Sequence, residues 1–248
     1  MLQIYVQKFI QNSGSVIVIR DVNGKIEYQF NIGEQVENKF KSVFKIGYNG
    51  DMTLFDFFNR TIRVNGASSL TDTTIDTENP QPFFDANFDN GNLFYRSIAD
   101  PTSNVEIVQF INAGFINYTR NWEKLTLDVG VRVEYMFRET KYRNETNNVN
   151  DPFLKKEYTP LDVNPVINLK YGLSEKTNLR FTASRTSSKP RLREILPFRY
   201  QDGDGNFTIG NADLKNTINY NVDLKYETFP NQSSIVSATV FGKYIEDP

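Results

Sequence analysis

Between Lys124 and Phe137 almost every second residue is apolar. Leu125, Leu127, Val129, Val131, Val133, Tyr135 and Phe137 fall on one face; Lys124, Thr126, Asp128, Gly130, Arg132 and Glu134 fall on the other, with Met136 as the exception. Side chains of a β-strand point alternately to its two sides, so this run predicts a strand with one greasy and one polar face. It is also too long for an ordinary globular strand, which has roughly 5–6 residues. It suits a tilted strand crossing a bilayer, which needs about 9–11.

The pattern recurs. Ile218, Tyr220, Val222, Leu224 and Tyr226 oppose Asn219, Asn221, Asp223, Lys225 and Glu227. Leu161, Val163, Ile167, Leu169 and Tyr171 oppose Asp162, Asn164, Asn168 and Lys170. Shorter examples are Ile26, Tyr28, Phe30 and Ile32, then Phe40, Phe44, Ile46 and Tyr48. Strands are expected near 24–32, 37–48, 105–119, 124–137, 161–172, 177–187, 217–229 and 234–245, and no helix is expected. The links 33–36, 120–123, 173–176 and 230–233 are short, whereas 49–104, 138–160 and 188–216 are long. Short turns on one side and long loops on the other is the layout of an outer-membrane barrel. Residues 1–23 read as apolar but irregular, with Asn23-Gly24 as a possible tight hairpin turn against 14–22. Residues 52–63 read as a hairpin extension above the membrane.

The mean hydropathy of −0.50 does not exclude a membrane, because alternating strands average to a polar score. No apolar run approaches the about 20 residues of a spanning helix. The N-terminus, from Met1 to Lys8, lacks the basic-then-apolar order of an export signal. Either the protein is not exported or the chain is a piece of a longer one.

Composition removes much enzyme chemistry. There is no His and no Cys, so Ser-His-Asp and Cys-His catalysis, His-bound metals, thiolate sites and disulfide scaffolds are excluded. The net charge of −2 gives no basis for nucleic-acid binding. No catalytic, cofactor-binding or metal residue is assigned, and the ligand-binding residues are left open.

Several local patterns have two readings. Asp202-Gly-Asp-Gly-Asn206 is similar to the start of a calcium loop, but Phe207 stands where Gly is needed and Asp213 where Glu is needed, so an external turn is preferred. The pairs Asp85 and Asp89, or Asp202 and Asp204, could serve glycoside hydrolysis only if held across a sugar, and solvated loop charges are the plainer reading. Arg185, Lys189, Arg191 and Arg193 form a basic cluster beside Pro190. Lipopolysaccharide or an anionic ligand would suit it; the preferred reading is that these residues set the bend from strand to loop and pair with Glu194. Glycosylation-type matches at Asn59, Asn144, Asn206 and Asn231 carry no weight in an Asn-rich chain.

Three stretches, in order, resemble the C-terminal barrel of TonB-dependent outer-membrane receptors. Gly130, Arg132 and Glu134 resemble that family's strand after a short turn. Ser184, Arg185 and Thr186, then Lys189, Pro190, Glu194, Ile195, Leu196 and Pro197, are similar to a second family segment, with Lys189 where Arg is common. Gly210, Asn211, Asp213 and Leu214, followed by the strand 219–226, resemble a third, with Ala212 where Pro is usual. The resemblance covers about 105–245, and residues 1–104, including a long external loop at 49–104, match loosely.

The resemblance implies an all-β, antiparallel up-and-down transmembrane barrel of about 22 strands with a plugged lumen. About eight strands cannot close it, so 1–248 is expected to be part of a barrel whose plug lies outside this chain; a complete eight-strand barrel is the competing reading. It also implies outer-membrane lipid as surroundings, TonB as a partner through the absent plug, and uptake of a siderophore, cobalamin or glycan. A soluble or surface-attached β-sandwich that binds carbohydrate is the alternative. It would bury the greasy rows against a second sheet.

Overall fold

The computed structural model describes residues 2–11, 15–36, 39–68, 70, 75–201, 207–231 and 233–247. Nine strands run up and down in one antiparallel sheet: β1 (Leu2–Gln11), β2 (Ser15–Val36), β3 (Lys39–Asn59), β6 (Asn104–Asn121), β7 (Leu125–Tyr142), β9 (Leu161–Ser174), β10 (Thr177–Ser188), β13 (Thr217–Asn231) and β14 (Ser234–Glu246). A tenth, β8 (Leu154–Tyr158), pairs with the upper part of β7. Two hairpins stand apart, β4 (Thr61–Gly66) with β5 (Leu93–Ile98), and β11 (Arg199–Gln201) with β12 (Phe207–Ile209). The predicted antiparallel layout is therefore present, with longer strands than expected.

The register keeps each face continuous. Val129 stands between Tyr118 and Ile167, and Asp128 between Thr119 and Asn168. A slip of one residue would exchange the faces, so alternation of this length fixes the pairing. The apolar rows are exposed: Ile26, Tyr28, Phe30 and Ile32 on β2, Leu161 and Val163 on β9, Tyr220, Val222, Leu224 and Tyr226 on β13. The opposite face holds the buried polar groups, among them Glu134, Arg138, Asp162 and Asn219. No second sheet covers the apolar rows among the described residues, which removes the sandwich alternative.

Three expectations need correction. Asn23-Gly24 closes no hairpin; β2 runs straight through it, with Gly24 opposite both Leu2 and Gly50. The Asn-Gly turn needs positive φ at both central residues, and among the described residues the positive-φ glycines are Gly33 and Gly91. Gly33 sits instead where the register of β2 against β3 shifts. Second, one short connection, between Gln11 and Ser15, lies at the long-loop end, because Ser15 pairs with Asn59 at the top of β3. Third, a helix is present, α1 (Gln81–Asp89), between β4 and β5. With 9 residues and no buried side chain, it leaves no helical period to read. No described helix is long and apolar enough to cross a membrane.

An apolar core sits at the long-loop end, on the inner face. Phe55 and Phe57 of β3 and Val105 and Ile107 of β6 form its wall, and Ile195, Leu196 and Phe198 from the 189–216 connection form its lid.

Candidate functional site

Alternation places ionisable groups along the inner wall, and they pair with each other. Arg132 Nη2 donates to Glu134 Oε2 at 3.0 Å. Lys189, just past the end of β10, bonds Glu134 Oε1. Nearer the short turns, Asp128 accepts from Asn117 Nδ2 at 2.8 Å and from Thr119 Oγ1 at 3.0 Å. Glu227 receives Arg180 at 2.5 Å and Lys225 at 3.2 Å. Buried charges persist when paired, and Glu134 and Glu227 meet that condition without a second layer of sheet.

The connection from β10 to β13 folds onto this wall. A single 3-10 turn, Leu192–Ile195, begins with Glu194 Oε2 accepting from the Arg191 backbone N–H at 2.8 Å. Ile195 is fully buried and the Phe198 ring lies 4.7 Å from that of Phe57. The chain returns past the same place: Asn211 N–H donates to the Glu194 carbonyl at 2.7 Å. Arg138 then fastens the return, donating to the Leu214 carbonyl at 2.9 Å while its guanidinium lies 5.0 Å over the Tyr158 ring. Asn216 donates to Asp162 at 2.8 Å, and its backbone N–H reaches the Tyr158 hydroxyl at 2.9 Å. Outside the membrane-spanning part, Lys156 of β8 pairs with Asp213, whose hydrogen bond raises the lysine pKa above its ordinary value. A cavity of about 490 Å³ remains between Lys189, Pro190, Glu194, Leu214 and Thr217.

The structure divides the basic cluster read from the sequence. Arg185 lies on the outer face, opposite Tyr220, and donates to the Val163 carbonyl at 2.5 Å. Lys189 lies on the inner face with Glu134. The two arms therefore serve different surroundings, and the expected link to Glu194 is a backbone bond from Arg191. The calcium-like stretch 202–206 lies outside the described residues; Asp213, which stands where such a loop needs Glu, pairs with Lys156. Asp85 accepts from Gln81 at 2.7 Å on the exposed α1, where Asp89 also lies. Among the described residues no group of three acidic side chains is placed to hold a metal.

Sequence reading missed Arg138, because the strand was taken to end at Phe137. The signal was present: Arg138 and Thr140 continue the even-numbered row of Arg132, Glu134 and Met136. Of the aromatics near strand ends, Trp122, Tyr135, Tyr171 and Phe229 are exposed, while Tyr118 and Phe137 are half-buried. Arg120 departs from the apolar outer row, but it lies near a short turn, held by Ser42 at 2.6 Å and 5.6 Å over Trp122. Interfaces tolerate such a residue.

Solved structures with similar folds include a transporter, an uptake receptor and an outer-membrane receptor. The copper transporter OprC aligns with a TM-score of 0.58 at 11% identity, over 93% of this chain and 30% of its own. The ferric yersiniabactin uptake receptor FyuA from Yersinia pestis gives 0.54 at 12% identity, over 100% of this chain and 32% of its own. The alcaligin outer-membrane receptor FauA from Bordetella pertussis gives 0.52 at 11%, over 93% and 30%. The chain thus spans under a third of the length of these structures. Among curated protein sequences there is no match. Residues 67–248 match the outer membrane protein beta-barrel family. With its greasy face outward, its charges turned inward and that match over most of its length, the chain belongs to the outer membrane protein beta-barrel family and resides in the Gram-negative outer membrane.

Proposed function

We propose that this chain is part of the wall of a TonB-dependent receptor, spanning all of 1–248, which takes up a scarce ligand too large for porins. The observation that supports it is the inward-folded segment 189–198. An inner wall that carries charged groups and also holds a docked external connection suits a gated passage. The ligand is of the siderophore, cobalamin or glycan type and is met first at the long-loop end. Metal-carrying ligands are favoured by the copper and ferric yersiniabactin proteins of similar fold. A plug from elsewhere in the protein closes the lumen and couples to TonB, and the proton gradient supplies the energy. No bond is made or broken.

A bilayer tolerates no unpaired strand edge. Among the described residues β1 pairs only with β2 and β14 only with β13, so both edges join further strands. Uptake of a ferric siderophore, cobalamin and a maltooligosaccharide, each radiolabelled, tests the reading in cells expressing the protein as the sole such receptor. Accumulation of one of them, abolished by a protonophore, is expected. Uptake of none, or uptake that survives the protonophore, overturns it.

A further inference from the structure

We propose that the β4–β5 hairpin carries a binding site for a phosphate-bearing anion, gripped between Arg63 and Arg96. The two arginines are direct cross-strand partners. Directly opposed side chains of an antiparallel pair have Cβ atoms about 4.5–5.5 Å apart, and like charges placed so repel. Both are exposed, and among the described residues neither meets a carboxylate. Among the described residues the hairpin therefore holds two directly opposed arginines with no counter-charge.

The rest of the hairpin favours a ligand there. Asn65 and Phe94 form the neighbouring rung on the same side as the arginines. On the opposite side Leu93 is buried and Tyr95 stacks on Phe88 of α1 with ring centroids 4.7 Å apart. The arginine side offers two planar forks, an amide and a half-exposed ring. Guanidinium groups match phosphate oxygens two bonds at a time, and a doubly charged anion between them turns the repulsion into attraction. The hairpin leaves the top of β3 and returns to the start of β6, so it stands at the long-loop end.

Two sources can supply the phosphate: the phosphorylated sugars of lipopolysaccharide beside the barrel, or a phosphate ester on a soluble ligand. The inference rests on the receptor reading only in taking the long-loop end as external. Binding in solution needs neither TonB nor a gradient, so a failed uptake assay leaves it standing, and a failed titration leaves uptake standing.

Pyrophosphate titrated into the full-length protein in lipopolysaccharide-free detergent, followed by calorimetry, is the test. Saturable binding is expected, weakened at least tenfold by Arg63→Gln and separately by Arg96→Gln, with circular dichroism confirming that each variant stays folded. Repeating the titration after adding lipopolysaccharide separates the sources. Loss of pyrophosphate binding assigns the site to lipopolysaccharide; unchanged binding assigns it to a soluble phosphate ester. No saturable pyrophosphate binding, or variants that bind as the parent does, overturns the proposal.

Discussion

Lys189 and Glu134 join the start of the 189–216 connection to the inner wall, and Arg132 holds the other oxygen of the same carboxylate. The Glu134 side chain is only 7% exposed, so its charge depends on these two partners. Removing one partner of a buried pair leaves an uncompensated charge. Lys189→Gln is expected to cost about 1–3 kcal/mol, discounted because Lys189 itself is partly solvated. Hydrogen exchange across 190–198 should rise in the variant and fall back in Lys189→Gln with Glu134→Gln. Unchanged exchange in the single variant would sink the idea that this pair fastens the segment.

The apolar contact beneath that pair should matter as much. Ile195 is fully buried and Phe198 packs on Phe57. Truncating a buried aromatic costs roughly 3–5 kcal/mol in a rigid core, and less where the site can collapse. Phe198→Ala is expected to release the segment while leaving the sheet intact. Limited proteolysis would then cut near residues 190–198, with the strand circular dichroism unaltered. Resistance equal to that of the parent would contradict it.

Gly210 tests the return of the chain. A Cβ built there would overlap the Leu196 carbonyl and lie 2.8 Å from the Glu194 carbonyl. These are backbone atoms and cannot rotate aside, so Gly210→Ala is expected to break the Asn211 to Glu194 bond. Loss of protection at the Asn211 amide is the readout. A retained slow exchange there would show that the two passes slide apart without loss.

Val129 and Asp128 report on the two faces of one strand. Val129→Arg is expected to cost roughly 2–4 kcal/mol if it lies mid-bilayer. Asp128→Asn leaves one oxygen to accept from Asn117 or Thr119, and should cost about 1 kcal/mol, one hydrogen bond's worth. Urea unfolding from lipid vesicles measures both, and equal costs would count against the assignment of faces.

Lys156 provides a pH test beyond the membrane. Its pKa is raised by Asp213, so the pair's contribution is complete below the unfolded lysine pKa of about 10.4 and fades as pH rises through the higher folded value. The chain has no Cys, so a cysteine placed at Lys215 takes a single spin label. The label should keep its mobility from about pH 7 to 10 and loosen above that; loosening already near neutrality would dismiss the link.

The sheet was legible because lipid imposes a period of two over whole strands, as in Leu125 to Val133 and Ile218 to Tyr226. The strand ends were not, since the outward residues of 138–142 no longer need to be apolar there: Glu139 and Lys141 pair with each other at 3.4 Å. The inward-folded segment was hidden for a different reason. Its contacts join Ile195 to Phe57 and Arg138 to Leu214, pairs far apart in sequence that alternation cannot connect. Pro190 and Pro197 signalled only a bend. The helix at 81–89 went unseen because it buries nothing.

Docking of Ile195, Leu196 and Phe198 against the wall also bears on how the cell surface is seen by others. An antibody or phage approaching from outside would find those side chains withdrawn beneath the rim. In the rest of the connection Ala212 and Asn216 are buried too, whereas Arg191, Arg193 and Lys215 are exposed, and changes that evade recognition can accumulate at such exposed positions without disturbing the docked part.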